Sequence, residues 1–581
     1  MKNKIKKKSF YFKDYNELDF IQSNSDHKKT IRISLNRITF LSFIFFSLIF
    51  IFSIKIIYLS LSEQKTFYSK NIKENLLQTR RNIVDRNGNV LATNVILYDV
   101  GVRPELLKKS EKKNLLIKLG ILFPDLNLEN IKKKLNKDDY FSIEKRLTPK
   151  EKDQFWLIGN RAFVFDPKPS RIYPQKNLFS HILGQTDDVN SGISGVEKFF
   201  DKDLNDEKKI NSPIKLTLDS NLQYLIRQEL IKAQSIFQNI GSGAILMDVE
   251  NGEVLSLVSL PDFDLNKRAL INDSAYTNKI TLGVYELGSV FKTFTIAAGL
   301  ESGIIKSDTL LKNLEDSLKC DKYTIKEHDE LPKNLTVEEV LIRSSNIGSV
   351  RIAQKIGVKK YSDFLNSLEL LNTPDFDLEE IGTPLSFKWV KCKLATTSYG
   401  HGITTTPLQV ANAYAVLGNG GYKIKPTILK KINQNKKERE KVVSKKTSDT
   451  INSMLRKVVN LDEGTANFAN IEGYEIGGKT GTAQKIINGN YSKNKINTFV
   501  AVFPTSKPKY ILLVLLDEPK PNKDYIYNYR DGSGLKIKGT PYNTAGWTSV
   551  EVAGKIIEKI GPILAINKID LYGNHVVKKT N

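Results

Sequence analysis

The sequence has few of the residues that bind metal ions or cross-link secreted chains. Its 581 residues include two cysteines, Cys320 and Cys392, and five histidines. No pair of these residues has the CxxC, HxxxH or HExxH spacing of a zinc site. We therefore expect no metal and no other cofactor, and a disulfide-rich scaffold is excluded. A single bridge between Cys320 and Cys392 is left open.

Acidic residues are also few in comparison with basic ones. The 64 Asp and Glu residues against 88 Lys and Arg residues give a formal net charge of +24, which favours an anionic partner. The lysines are nevertheless spread along the whole chain, without a dense basic stripe interleaved with aromatic residues. Nucleic-acid binding is therefore not expected. The length predicts several domains, since one domain usually has roughly 100–200 residues.

Only one segment is apolar enough to cross a membrane. Residues 38–54 carry no charge, and after Lys55 the apolar character resumes as far as Leu61. A helix of about 20 apolar residues spans a bilayer. Ten Lys and Arg residues precede the segment, and the positive-inside rule places that end in the cytoplasm. A cleaved signal peptide is the alternative, but the segment is too long and no A-x-A site follows it.

These signals divide the chain into five parts. We expect a basic cytoplasmic tail over residues 1–37, a transmembrane helix over 38–61 and a C-terminal tail over 566–581. Between them, residues 65–210 look like a mixed α/β domain, and residues 213–565 are more apolar and better punctuated by turns. The chain is therefore predicted to be an α/β multidomain protein carried by one membrane helix.

The larger domain shows the pattern of an antiparallel sheet flanked by helices. Asn251-Gly252 is a strong signal for a two-residue hairpin turn. The hydrophobic pattern predicts strands at 216–219, 243–248, 254–258 and 510–516, and a buried helix at 289–300.

Two motifs that imply different functions both contain Lys479. Gly473–Thr480 matches the P-loop pattern GxxxxGK[ST], and a later apolar strand ends in Asp517-Glu518 as a Walker B strand would. A P-loop, however, needs a helix directly after it to hold the phosphates, and Gly481 and Asn488-Gly489-Asn490 interrupt the chain there. The predicted topology also places the motif outside the cytoplasm. A P-loop ATPase is therefore the remote alternative.

The other interpretation takes Lys479-Thr480-Gly481 as the KTG element of a serine acyltransferase. SxxK and SxN patterns recur in this Lys-rich and Ser-rich chain, whereas KTG occurs once. Only Ser289-Val290-Phe291-Lys292 opens a buried apolar helix, and only Ser344-Ser345-Asn346 lies between that helix and KTG. The three elements in this order predict a nucleophilic serine.

The residue types fit that chemistry. Ser289 needs a base to remove its proton, and Lys292 lies one helical turn later on the same face. To act as a base Lys292 must be neutral, so we expect burial and the charge of Lys479 to lower its pKa. Ser344 and Asn346 are predicted to carry a proton to the leaving amine and to hold the substrate amide.

The remaining predicted site residues bind substrate. Lys479 and the following residues Thr480, Gly481 and Thr482 are expected to hold a terminal carboxylate. Backbone N–H groups of Ser289 and Thr482 are predicted to form an oxyanion hole at the start of the helix. The predicted catalytic set is Ser289, Lys292, Ser344, Asn346 and Lys479.

At this point the chain resembles the class B penicillin-binding transpeptidases over nearly the whole segment that follows the membrane helix. Arg80–Gly88 followed by Leu91-Ala92 is similar to the RGxIxDRNGxxLA box of that family. The later boxes of its pedestal domain are matched by Arg171-x-Tyr173-Pro174, His181-x-x-Gly184 and Gly192-x-x-Gly195-x-Glu197. Tyr285–Ser289 resembles YEPGS, and Gly400-His401-Gly402 resembles GQG with His401 in place of glutamine. A structural role for His401 is favoured over a catalytic one.

The resemblance implies a pedestal (dimerisation) domain that carries a serine β-lactamase/transpeptidase-like domain. It implies that Ser289 attacks the D-Ala-D-Ala bond of a peptidoglycan stem peptide and that D-alanine is released. An amine from a neighbouring glycan strand, derived from lipid II, would then resolve the acyl-enzyme and cross-link the wall. β-Lactams would be covalent inhibitors. A β-lactamase would lack the Arg80 box and the anchor, and a β-lactam sensor would need more than 37 residues before the span.

Within the class, Asp517–Pro521 and Thr544–Trp547 are most similar to the division-specific branch, the FtsI type. The elongation-specific branch is the alternative. The resemblance implies a cell inner membrane location with the catalytic domain in the periplasm. It also implies a membrane glycosyltransferase of the SEDS type and other division proteins as partners.

Overall fold

The computed structural model describes residues 25–61, 80–137, 139–267, 273–321, 323–390, 392–430, 439–487 and 489–576. The chain divides into two compact units, residues 1–75 and residues 76–581. In the first unit, helix α1 (Ser25–Leu61) contains an apolar span from Ile38 to Tyr58 with a mean hydropathy of 2.5. This helix has the length and composition of the predicted membrane anchor. Most of the basic tail, residues 1–24, lies outside the described residues.

The second unit begins with a small mixed sheet. Its strands are β1 (Ile83–Val84), β2 (Val90–Val102), β3 (Phe141–Leu147), β4 (Phe163–Ile172) and β5 (Ile214–Lys215). The long strand β2 pairs antiparallel with β1, β3 and β4, while β1 and β5 are parallel. Helices follow as α2 (Lys109–Leu122), α3 (Leu128–Leu135), α4 (Pro149–Trp156), α5 (Ser180–Leu183), α6 (Gly195–Phe199) and α7 (Asp201–Leu204). The mixed α/β character predicted for this region is confirmed.

A buried ion-pair cluster ties the start of this unit together. Glu197 is fully buried, and its carboxylate accepts hydrogen bonds from Arg80 Nε at 2.6 Å and from Arg171 Nε at 2.7 Å. Both arginines and the glutamate come from three of the sequence boxes described above. A carboxylate that is buried away from water is stable only when charged donors surround it. The residues of these boxes therefore stabilise the packing at the start of this unit.

The larger sheet has five strands in the order β12-β13-β14-β6-β7, and every neighbouring pair is antiparallel. The strands are β6 (Gly241–Asp248), β7 (Val254–Leu260), β12 (Gly477–Ile487), β13 (Asn490–Phe503) and β14 (Tyr510–Asp517). The predicted hairpin β6–β7 is confirmed, but its turn is longer than the two residues expected, because Asp248 N–H donates to the Glu253 carbonyl oxygen at 2.9 Å across it. Gly252 in this turn has φ of +76°. The remaining strands form three two-stranded ribbons: β8 (Leu310–Leu311) with β11 (Leu335–Thr336), β9 (Ser317–Cys320) with β10 (Tyr323–Lys326), and β15 (Ile526–Asn528) with β16 (Lys536–Lys538).

Helices of this domain lie on and around this sheet, as the hydrophobic pattern predicts. They are α8 (Ser220–Phe237), α9 (Asp273–Tyr276), α10 (Lys292–Glu301), α11 (Val337–Ile342), α12 (Asn346–Ile356), α13 (Val358–Ser367), α14 (Lys393–Thr397), α15 (Pro407–Gly418), α16 (Lys445–Asn460) and α17 (Ser549–Val576). Of these, α8, α15, α16 and α17 pack directly on its strands. Helix α10 is buried along nearly its whole length, which fixes its first turn against the sheet.

Three local predictions need correction. The strand predicted at 216–219 lies earlier, at β5, because Asp219 instead caps helix α8 by accepting the N–H groups of Asn221 and Leu222. The helix predicted to begin at Ser289 opens with a 3-10 turn, Gly288–Phe291, and becomes α-helical at Lys292. Helix α17 extends to Val576, well into the expected C-terminal tail.

Candidate active site

A cavity of about 770 Å³ lies where the start of helix α10 meets the edge strand β12. Six of the eight predicted site residues line it: Ser289, Lys292, Ser344, Asn346, Thr480 and Thr482. Lys479 is fully buried beside them, and Gly481 is the close-packing glycine of β12. The three separate motifs of the sequence therefore meet at one place.

Two glycines allow the backbone around Ser289 to lie close to neighbouring segments of the same chain. Gly288 has φ of +60°, and a Cβ there would lie 2.8 Å from the carbonyl oxygen of Thr482. A Cβ at Gly400 would lie 2.0 Å from the carbonyl oxygen of Gly288. Only glycine permits such close backbone contacts. Ser289 is consequently clamped between strand β12 on one side and the Gly400 segment on the other.

One hydroxyl links the two buried lysines. Lys292 Nζ donates to Ser344 Oγ at 3.1 Å and also to the Ser344 carbonyl oxygen. Lys479 Nζ donates to the same Ser344 Oγ at 2.9 Å. Ser344 has φ of +60°, an unusual backbone conformation for a residue with a side chain. Strain of this kind is found where a side chain must be aimed at a reacting group.

Burial strongly disfavours positive charge on both lysines. Burial lowers the pKa of Lys292 to about 7, although the carboxylate of Glu327 acts in the opposite direction. Burial and the nearby charge of Lys292 hold the pKa of Lys479 well below its usual range. Two ammonium groups that share one hydroxyl titrate as a pair. The site can therefore provide a neutral amine near pH 7, as the proposed base requires.

Glu327 is a site residue that the sequence patterns did not reveal. It follows strand β10, and its carboxylate accepts the N–H groups of Asn346 and Ile347, at 2.7 and 2.9 Å. It also accepts the Ser345 hydroxyl at 2.6 Å. A carboxylate at a helix N-terminus satisfies free N–H groups and the helix dipole. Glu327 thus fixes the start of α12, from which Ser344 and Asn346 reach the cavity.

Two contacts hold the β9–β10 ribbon, which directly precedes Glu327, in place. Asn346 Nδ2 donates to the Lys326 carbonyl oxygen at 2.8 Å, so the predicted site amide is held by strand β10. Cys320, at the end of β9, forms a disulfide with Cys392, and no free cysteine remains. The disulfide left open by the sequence is therefore present, and it joins the β9–β10 ribbon to the segment before α14.

Glu327 offers a specific prediction. Replacing Glu327 with glutamine should move the acid limb of β-lactam acylation to lower pH, because removing a negative charge lowers the pKa of Lys292. Acylation rates measured between pH 5 and pH 9 test this. Glu330→Gln, an exposed change three residues away, is the matched control and should leave the pH profile unchanged. If the pH profile of acylation in Glu327→Gln is the same as in the wild type, the charge of Glu327 does not influence the pKa of Lys292.

Strand β12 presents the KTG residues to the cavity. The hydroxyls of Thr480 and Thr465 lie 2.8 Å apart, and Thr482 Oγ1 accepts the N–H of Ala545 at 3.0 Å. A Cβ on Gly481 would lie 2.2 Å from the carbonyl oxygen of Leu287, so this glycine allows β12 to approach the Ser289 turn. Together with Lys479 these hydroxyls form a polar strand edge suited to a carboxylate.

The same strand overturns the P-loop alternative. Lys479 pairs with Val500 of β13 in an antiparallel ladder, and the strand continues to Ile487. A phosphate-binding loop requires the N-terminus of a helix at this point. The GxxxxGK[ST] match in Gly473–Thr480 is therefore a coincidence of sequence.

An aromatic wall completes the cavity. Phe468 packs against Tyr527, Tyr529 and Trp547, with ring centroids 4.7 to 5.2 Å apart. Phe468, Tyr529 and Trp547 also line the cavity. Of these residues only Trp547 belongs to a motif that the sequence reveals, because isolated aromatic residues in short elements carry no periodic signal.

Fold and site together define a serine acyltransferase with two lysines and a KTG strand. Residues 242–534 match the family model described as Penicillin binding protein transpeptidase domain. Residues 77–215 match the Penicillin-binding Protein dimerisation domain. The chain belongs to the penicillin-binding protein transpeptidase family.

The names of similar proteins agree with this assignment. The chain is 30% identical over 500 residues to a probable peptidoglycan D,D-transpeptidase FtsI of Caulobacter vibrioides, covering 84% of this chain and 82% of the relative. It is 31% identical over 549 residues to the peptidoglycan D,D-transpeptidase FtsI of Buchnera aphidicola subsp. Baizongia pistaciae, covering 86% and 94%. The fold is similar to penicillin-binding protein 3 of Mycobacterium tuberculosis complexed with aztreonam. That likeness has a TM-score of 0.63 at 22% identity and covers 84% of this chain and 97% of that one.

Proposed function

We propose that this chain is a peptidoglycan D,D-transpeptidase of the division-specific branch. Its substrate is the D-Ala-D-Ala end of a stem peptide, and β-lactams inhibit it by acylating the same serine. The observation that carries the proposal is the Ser344 hydroxyl, which joins Lys292 and Lys479 beside Ser289. The names of the Caulobacter and Buchnera relatives favour the division branch over the elongation branch.

The geometry supports a defined role for each group. Neutral Lys292 takes the Ser289 proton as Oγ attacks the carbonyl carbon of the penultimate D-alanine. The N–H groups of Ser289 and Thr482 stabilise the oxyanion. Ser344 passes a proton from the Lys292 side to the leaving amine, and D-alanine departs. Lys479, Thr480 and Thr482 hold the terminal carboxylate, and Asn346 holds the peptide amide.

We further propose that the exported chain has two domains, a pedestal over residues 65–210 and a transpeptidase domain over 213–565. The two family matches, 77–215 and 242–534, support this division. Helix α1 fits a single-pass anchor. We propose that it lies in the inner membrane, with the N-terminus cytoplasmic, and that a SEDS-type glycosyltransferase and other division proteins are partners.

The orientation is directly testable. A fluorescent protein that matures only in the cytoplasm, fused after Asn581, should stay dark because the ten basic residues before the span hold the N-terminus inside. The same protein fused before Met1 is the control and should be bright. A bright C-terminal fusion would contradict the topology.

The activity is tested with the full-length protein in detergent. A stem-peptide analogue ending in D-Ala-D-Ala should release D-alanine, and an added amine should be joined to the remaining peptide. Pre-treatment with penicillin should abolish both products. Release of D-alanine that penicillin does not inhibit would contradict the proposed Ser289 chemistry.

A further inference from the structure

His401 lies on the wall of the cavity that contains Ser289. Its ring stacks on Tyr491, with centroids 4.5 Å apart, and on Tyr399 at 6.0 Å. The preceding residue, Gly400, is in close contact with Gly288, next to the nucleophile. The imidazole is thus held in a fixed plane between Tyr399 and Tyr491 on the wall of the cavity.

A buried carboxylate faces one nitrogen of this ring. Glu286 is 7% exposed, and its Oε1 accepts the Tyr491 hydroxyl at 3.0 Å. Its Oε2 lies 3.5 Å from His401 Nδ1 and has no hydrogen-bond partner among the described residues. A carboxylate this close to one nitrogen of an imidazole favours the tautomer with its proton on that side. The Nε2 lone pair of His401 is then left to accept a proton.

The surroundings keep the imidazole neutral at pH 7. Burial lowers the pKa of His401, the charge of Lys393 lowers it further, and the Glu286 carboxylate partly opposes both. Lys393 Nζ is held by the Gly402 carbonyl oxygen and lies 4.0 Å from the centre of the Phe387 ring. The other titratable groups against His401 are the Tyr399 hydroxyl, whose pKa is raised to about 12 by burial, and the Tyr491 hydroxyl, which donates to Glu286.

We propose that His401 is the general base for the acceptor amine in the second half of the reaction. This inference rests on the proposed function. The acceptor is a primary amine of a neighbouring stem peptide, which reaches the acyl-enzyme as an ammonium ion. His401 Nε2 takes one proton from that nitrogen, which frees the lone pair that bonds to the acyl carbon. The nitrogen then gives its second proton through Ser344 and Lys292 to Ser289 Oγ as the bond from the acyl carbon to Oγ breaks, and His401 releases its proton to solvent.

A comparison of the two groups of polar residues at the cavity supports this assignment. Lys292, Ser344 and Lys479 share one hydrogen-bond network, which serves the donor peptide and its leaving group. The contacts of His401 and Glu286 share no hydrogen bond with that network. A second base outside the network suits a second nucleophile. The resemblance to GQG shows glutamine as the usual residue, so the base is a particular property of this chain.

The experiment separates the two half-reactions in the full-length protein. His401→Gln keeps a polar side chain of similar length but removes the titrating nitrogen. Acylation by penicillin should stay within about twofold of wild type. The ratio of amine transfer to hydrolysis from a D-Ala-D-Ala donor should fall tenfold or more, since general bases contribute about 10²–10⁴-fold. The ratio of transfer to hydrolysis in the wild type should fall at acid pH, where the His401 imidazole becomes protonated, and this pH dependence of the ratio should be missing in His401→Gln.

Two controls make the outcome decisive. Glu286→Gln should weaken transfer in the same direction, because the tautomer of His401 is then no longer fixed. Glu330→Gln changes an exposed residue that is not among those lining the cavity and should alter neither half-reaction. An unchanged transfer ratio in His401→Gln, or an equal loss of acylation and transfer, would overturn the proposal. If wild type forms no penicillin adduct, the proposed function itself fails and the inference falls with it.

Discussion

Replacing Ser289 with alanine is expected to abolish both penicillin labelling and D-alanine release. The change removes the Oγ nucleophile and leaves a side chain that the 3-10 turn accommodates. Loss of a covalent nucleophile typically costs roughly 10⁴–10⁶-fold in rate. Labelling should therefore vanish on a gel of protein treated with fluorescent penicillin, even though Lys479, Thr480 and Thr482 remain in place.

A matched serine provides the control. Ser302 ends helix α10, and its hydroxyl donates to the Ala298 carbonyl oxygen at 2.7 Å, away from the cavity. Ser302→Ala should retain wild-type labelling, and thermal unfolding should show that both variants are folded. A labelled, folded Ser289→Ala protein would place the nucleophile elsewhere.

Replacing Lys292 with arginine should slow acylation by about 10²–10⁴-fold, the usual contribution of a general base. Arginine keeps the positive charge and much of the length, but its guanidinium does not lose a proton in proteins. Lys292→Ala is the second variant, because arginine has to fit a fully buried site. The measurement is the rate of penicillin adduct formation at saturating inhibitor. A rate near wild type in both folded variants would exclude Lys292 as the base.

The wild-type enzyme should show the corresponding pH dependence. The neutral form of Lys292 is the active one, and its pKa is lowered to about 7 by burial. Acylation should therefore rise as pH increases through about 7 and fall roughly tenfold for each pH unit below it. Stopped-flow acylation rates at constant ionic strength test this. A rate that increases only above pH 9 would mean that burial does not lower the pKa of Lys292.

The site was more predictable than the details of the fold. SxxK, SxN and KTG lie far apart in the chain, yet each needs a fixed spacing only within itself, so the motifs survive as sequence signals. The hairpin β6–β7 was also predictable, because Asn251-Gly252 and the apolar runs around it are local. These features depend on neighbours in sequence.

Features that depend on neighbours in space were missed. Glu327 is a single acidic residue after a short ribbon, and nothing local indicates that it caps a helix that begins 19 residues later. The pairing of Cys320 with Cys392 spans 72 residues and could only be left open. Likewise, the P-loop match was locally perfect, and only the antiparallel pairing of β12 with β13 decides against it.

The central claim is that Ser289 forms an acyl-enzyme. Its most direct test is intact-mass spectrometry of the full-length protein after treatment with penicillin, followed by peptide mapping of the adduct. Our account predicts one added mass per chain, equal to the intact β-lactam, on the peptide that contains Ser289. An adduct on another residue, or no covalent adduct from a folded protein, would contradict it.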